Sequence, residues 1–138
     1  MLPYKNILVP YDGSPYSKKA LHYAIAFAGC CENASLYIAT VSSGGSALSI
    51  ANEGRPLETD DGQVDLAEAD KMVPEEIPHK VIFEIGETIP MLLYVAGEVH
   101  ADLIIMGNRG RSHVKSLLLG SVSSELMKKA KCPVFIIK

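Results

Sequence analysis

Tryptophan is absent, and aromatic residues make up 7% of the 138 positions. A face that binds nucleic acid needs broad basic surface interleaved with aromatic platforms. This chain has few platforms and a net charge of −3, so nucleic acid is not an expected partner. Cysteine is scarce as well. Cys30 and Cys31 are adjacent and Cys132 stands alone, which leaves no CxxC and no even disulfide framework. They read as small buried or half-buried thiols. The four histidines (His22, His79, His100 and His113) share no ligand spacing, which argues against a zinc site. No apolar run approaches the ~20 residues of a membrane span. The opening Met1-Leu2-Pro3-Tyr4-Lys5 passes straight into a strand-like run, without the pattern of a secretory leader. The expectation is a cytoplasmic protein with no membrane partner.

What is present is ordinary in amount and uneven in place. The chain is 48% hydrophobic and 21% charged, which suits one globular domain over residues 1–138. Residues 53–76 hold nine acids against Arg55 and Lys71, a local charge of −7. Residues 107–138 hold seven bases against Glu125, a local charge of +6. Lys128, Lys129 and Lys131 fit a solvated helix face. Arg109 and Arg111 do not, because they lie among glycines. A small anionic ligand suits that third of the chain.

Hydrophobic periodicity sets out the elements. Lys5 to Pro10 reads as a buried strand. Ser14-Pro15 is a helix start, with serine as cap and proline in the first turn. Ser35 to Val41 is a second strand. Ser42 to Ser46 is a turn, and residues 47–78 read as an acidic loop before and around a short helix from Gln63 to Val73, with Val64, Ala67 and Lys71 or Met72 facing inward. His79 to Ile85 is a third strand, and Glu84 within it marks an edge or a partly exposed position. Thr88 opens a helix running to about His100. Its inward positions are Leu92 or Leu93, Val95 or Ala96, and Val99. Asp102 to Met106 is a fourth strand. Ser112 to Leu119 is a short helix or turn, and Ser121 to Lys131 a helix with Val122, Leu126 and Ala130 on one stripe. Pro133 to Ile137 closes the chain as a strand. Alternation of this kind predicts a parallel α/β sheet with helices on both faces.

In such sheets ligands sit beyond the carboxyl ends of the strands, where strand order reverses. Asp12 follows the first strand, Val41 ends the second, and Gly107-Asn108-Arg109-Gly110 follows the fourth. After nine intervening residues Gly120-Ser121 begins a helix. Glycines let main-chain N–H groups approach a ligand, and a helix start offers unpaired N–H groups to phosphate. Gly107 is expected to turn the chain tightly off its strand, and Gly110 to let the main chain reach phosphate or ribose. Gly120 and Ser121 would supply N–H groups and a hydroxyl. Asp12 would bond adenine or ribose, although Asp12-Gly13-Ser14-Pro15 also makes a good turn and cap. Val41 and Met106 would pack the base, and Arg109 or Lys115 would screen phosphate charge. Pro10, ending the first strand, joins the candidate set. His113 reads as a surface residue. Ser14, Ser42 and Ser43 have no base at catalytic spacing, so no catalytic residue is assigned.

These residues resemble the universal stress protein family. The likeness runs through Ile7-Leu8-Val9-Pro10-Tyr11-Asp12-Gly13-Ser14 and Ala101 to Gly107. It continues through the G-x2-G-x9-G-S pattern at 107–121 and Cys132 to Ile137. It implies a five-stranded parallel sheet in the order 3-2-1-4-5, Rossmann-like and similar to adenine nucleotide alpha hydrolases. It also implies homodimers paired through the last strand, Val134 to Ile137, and membership of the ATP-binding branch. On that resemblance Asp12 and Val41 meet adenine, and Met106 and Gly107 lie near ribose. Gly110, Gly120, Ser121, Val122 and Ser123 meet the phosphates of ATP, or of ADP or AMP, with Mg or Mn carried on the phosphates rather than on protein ligands. Pro56, Pro74 and Pro78 depart from the family's continuous helix before the third strand.

The expected function is a nucleotide-binding stress-response sensor whose occupancy an unidentified protein partner reads. The alternatives are a slow ATP-hydrolysing enzyme and a structural dimer module with an empty site. No GxxxxGK[ST] loop and no water-positioning acid in the phosphate loop are present, which weighs against fast hydrolysis.

Overall fold

A computed structural model describes residues 1–42, 61–109 and 120–138. Five strands alternate with four helices among them. The order is β1 (Asn6–Pro10), α1 (Pro15–Gly29), β2 (Ser35–Ser42), α2 (Asp61–Met72), β3 (His79–Ile85), α3 (Thr88–Glu98), β4 (Leu103–Gly107), α4 (Ser121–Lys129) and β5 (Val134–Ile137). The strands form one parallel sheet in the order β3-β2-β1-β4-β5. The expected helix or turn at 112–119 lies outside the described residues.

The central strands have apolar side chains on both faces, which is why they read as unbroken apolar runs. Alternate residues go to opposite layers. Ile7, Val9, Leu36, Ile38, Leu103 and Ile105 meet α1 and α2. Leu8, Ala39, Ile104 and Met106 meet α3 and α4. Each buried leucine or isoleucine contributes roughly 1.5–3 kcal/mol relative to exposure. Helix α1 supplies Ala20, Leu21, Ala24 and Ala28 to the first layer. Its small residues let it lie close to the sheet.

Local chemistry sets the ends. Ser14 caps α1, its Oγ accepting the Ser17 N–H at 3.2 Å, with Pro15 in the first turn. The Asp102 carboxylate ties the start of β4 to that of β1. Its Oδ2 accepts from the Lys5 N–H at 2.8 Å and its Oδ1 from the Asn6 N–H at 3.0 Å. Bonds to a carboxylate are the stronger kind. They hold β1 beside β4, the pairing on which the strand-order reversal depends.

Helix α2 corrects one expectation. Its inward positions are Leu66 and Ala69, with Val73 buried just past its end, while Ala67 and Lys71 are exposed and Met72 is half-buried; the side chain of Val64 lies outside the described residues. The short amphipathic pattern fits more than one helical phase, and packing on β2 and β3 selects this one. In α3 the buried alternatives are Leu92 and Val95, joined by Ile89, with Val99 half-buried. In α4 Leu126 is fully buried, as expected, but so is Ser123; Val122 and Ala130 are only partly covered.

Cys30 is exposed, Cys31 buried and Cys132 half-buried. Burial, and then the charge of Asp102, push the Cys132 thiol up from its ordinary value. Among the described residues, no helix is long and apolar enough to cross a membrane.

Candidate functional site

At the carboxyl ends of β1, β2 and β4 the sheet opens into a cavity of about 300 Å³. Strand pairing builds it. β1 lies between β2 and β4, and its neighbours lead to helices on opposite faces. Two bonds join the β1 and β2 ends beneath the cavity. The Tyr11 N–H donates to the Ala39 carbonyl at 2.8 Å, and Thr40 Oγ1 donates to the Tyr11 carbonyl at 2.6 Å. Asp12 and Val41 are thereby held at one rim.

Pro10, Asp12, Val41, Met106, Gly107, Arg109, Gly120, Ser121, Val122 and Ser123 all line this one cavity. Gly110, the remaining candidate, lies outside the described residues, as does Lys115. Six lining residues went unread in the sequence: Tyr11, Ser17, Ala39, Thr88, Leu92 and Asn108. Thr88, as the first residue of α3, carried a usable signal, because in a parallel α/β sheet helices after strands begin at the ligand-binding end. Leu92 carried none, since its position depends on how α3 docks.

Asp12 makes the turn that its sequence allowed, and it also lines the cavity. Its Oδ1 accepts the Ser14 N–H at 2.9 Å, forming the turn that leads into α1. The same half-buried residue forms part of the cavity wall. The turn therefore orients the carboxylate.

The two described glycines of the pattern are needed for space. Neither has a positive φ. A Cβ on Gly107 would lie 2.8 Å from the carbonyl carbon and oxygen of Tyr16. Its absence lets the first turn of α1 rest on the end of β4, which replaces the expected tight turn. A Cβ on Gly120 would lie 2.9 Å from the Asn108 carbonyl oxygen and 3.3 Å from the Arg109 Cα.

Gly120 is the N-cap of α4, and it caps without a side chain. Its own N–H donates to the Asn108 carbonyl at 2.7 Å, so this group ties the start of α4 to the end of β4 and does not face a ligand. The Ser123 hydroxyl is likewise turned inward, toward the carbonyls of Asn108 at 3.1 Å and Gly120 at 3.0 Å. The first intrahelical bond runs from the Ser124 N–H to the Gly120 carbonyl. The N–H groups of Ser121, Val122 and Ser123 therefore form the helix start, with no intrahelical acceptor and the positive end of the dipole behind them. An anion fits there. The apolar wall of Pro10, Ala39, Val41, Leu92 and Met106 fits a flat ring.

The model of the universal stress protein family matches residues 3–138. The chain belongs to the universal stress protein family. Universal stress protein MJ0531 of Methanocaldococcus jannaschii is 34% identical, the match spanning 98% of this chain and 82% of that protein. The solved structure of MJ0577, from the same organism, superposes with a TM-score of 0.84 at 27% identity, covering 99% of this chain and 97% of that one. A universal stress protein solved in complex with cAMP superposes with a TM-score of 0.70 at 29% identity, covering 99% and 98%. The family's five-stranded α/β architecture is thus the architecture of this chain.

Proposed function

We propose that the cavity holds an adenine nucleotide, ATP in the first place, and that this universal stress protein acts as a nucleotide-dependent stress-response regulator. The observation that carries the reading is the convergence of an apolar slot, an oriented carboxylate and a helix start without a side-chain cap in one crevice. The base packs among Pro10, Val41 and Met106, with Asp12 at its edge. The sugar crosses toward Gly107. The phosphates meet the N–H groups of Ser121, Val122 and Ser123, and Arg109 adds positive charge. A divalent cation, Mg or Mn, rides on the phosphates. The solved cAMP complex of a relative supports an adenine nucleotide as the ligand class.

Among the described lining residues Asp12 is the only carboxylate, and it follows β1 while α4 begins beyond β4. A water-activating acid beside the phosphates is therefore lacking among them, which favours holding nucleotide over turning it over. The expected result is nucleotide released on denaturing the purified protein and identified by chromatography, followed by saturable binding of ATP, ADP or AMP by calorimetry. Absence of binding by all three at millimolar concentration would sink the reading. Turnover above about 1 per second would instead make the protein an enzyme.

The same reading includes a homodimer through β5, in the cytoplasm. β5 is a sheet edge, and its Phe135 is 38% exposed. The carbonyls of Pro133 and Ile137 accept from the N–H groups of Ile104 in β4 and of Asn108 just after it. Strand alternation then turns the main-chain groups of Val134 and Ile136 outward, ready to pair with a second copy. Sedimentation velocity should give a dimer mass for the native chain. Ile136→Pro, which removes an outward N–H, should give a monomer. A native chain that sediments as a monomer at tens of micromolar would dispose of this interface.

A further inference from the structure

Asn108 follows the last residue of β4, and its main chain is held on three sides. Its N–H donates to the Ile137 carbonyl at 2.8 Å. Its carbonyl accepts from the Gly120 N–H at 2.7 Å and from the Ser123 hydroxyl at 3.1 Å. Nothing in those bonds needs an asparagine side chain. Yet the residue is 7% exposed, and its Oδ1 is buried with no hydrogen-bond partner among the described residues. Folded proteins seldom leave a buried acceptor unpaired, because its lost hydration goes uncompensated. The same residue lines the cavity.

The chemistry of an amide oxygen says what it can take. It accepts, so its partner must donate. Ionised phosphate has no proton to give. A nucleotide offers only the base amino group and the sugar hydroxyls. The apolar slot for the base includes Val41 on β2, and Asn108 follows β4, two strands away. Two strand spacings are about 10 Å. Asn108 also lies beside the first residue of the α4 start, where the phosphates bind on this reading. A group between base and phosphate is the sugar. The last torsion of an asparagine is soft, so the amide oxygen can turn toward a donor while the main chain stays in place.

On the nucleotide reading above, we infer that Asn108 reads the sugar: its side-chain oxygen accepts a hydrogen bond from a ribose hydroxyl and makes the site selective for an intact ribose. The bond forms only with ligand present; without it the acceptor has no partner among the described residues and gains nothing in stability from them.

Calorimetric titration of the wild type with ATP, 2′-deoxy-ATP and 3′-deoxy-ATP tests this. At least one deoxy analogue should bind about tenfold more weakly than ATP, the scale of one net hydrogen bond. Asn108→Leu, similar in size but unable to accept, should bind ATP about tenfold more weakly and no longer distinguish the analogues. Asn108→Ala carries the same expectation if leucine does not fold. Asn108→Asp keeps an acceptor and should keep the preference. The ligand-free melting temperature of Asn108→Leu should equal or exceed that of the wild type. A purely structural asparagine would give a lower melting temperature and leave the analogue preference intact. Equal binding of all three nucleotides by the wild type would overturn the sugar-reading role while leaving the nucleotide site standing. Binding of none would remove both.

Discussion

Gly107→Val is expected to lower the unfolding free energy by about 3 kcal/mol, the upper end of the usual cost of overpacking a core. The added Cβ would stand 2.8 Å from two main-chain atoms of Tyr16 and 2.9 Å from its Cβ. These atoms belong to the first turn of α1 and cannot rotate out of the way. The helix must lift from β4, and the layer that includes Leu21, Leu103 and Ile105 must open with it. Gly107→Ala should show a smaller loss of the same sign. Urea denaturation checks both, through a lowered midpoint with an unchanged slope. A loss under about 1 kcal/mol for valine would mean that the α1–β4 contact yields easily. The expected loss of about 3 kcal/mol is a large share of the roughly 5–15 kcal/mol that holds a domain together.

Gly120→Val should act on binding more than on stability. Its Cβ meets the Asn108 carbonyl oxygen at 2.9 Å, the same oxygen that accepts the Gly120 N–H. The connection must part there, which tilts the start of α4 and turns the Ser121 and Val122 N–H groups off target. The branched side chain also crowds the place where an anion would sit. ATP affinity should fall about a hundredfold, near 2.7 kcal/mol. The stability loss should be the lesser effect, because Gly120 is half-buried and lies outside the core layers. Equal ATP affinity in the wild type and in a Gly110→Val, Gly120→Val double variant would show that the glycine pattern does not form the phosphate cradle.

The two substitutions separate what glycine does at two points of one motif. At Gly107 it admits a helix onto a strand. At Gly120 it admits a carbonyl onto a helix start. Both looked alike in the sequence, as flexible positions near a ligand. The observed φ at Gly120 is −70°, and Gly107 has no positive φ, so flexibility is not what either supplies. Gly13, at φ 79°, is where the left-handed conformation is needed, in the turn that brings Asp12 back to the Ser14 N–H.

Local chemistry made much of this protein readable from its sequence. The apolar runs at Ile7, Leu36 and Leu103 marked strands, because a strand covered on both faces has no polar alternation to hide it. Ser14-Pro15 marked a helix start because a cap is a bond between near neighbours. Element order and the parallel α/β class followed, and the glycine pattern after β4 pointed to the cavity. What depends on contacts between distant residues was decided only by the tertiary structure. Packing on β2 and β3 chose Leu66 and Ala69 for the inner face of α2 and buried Val73 just past its end. Strand pairing brought Thr88 and Leu92 to the cavity wall. The meeting of β4, β5 and the α4 start turned the Ser123 hydroxyl inward and buried the Asn108 amide. Near-neighbour bonds are visible in the order of residues; burial and close approach arise only when separate segments compete for the same space.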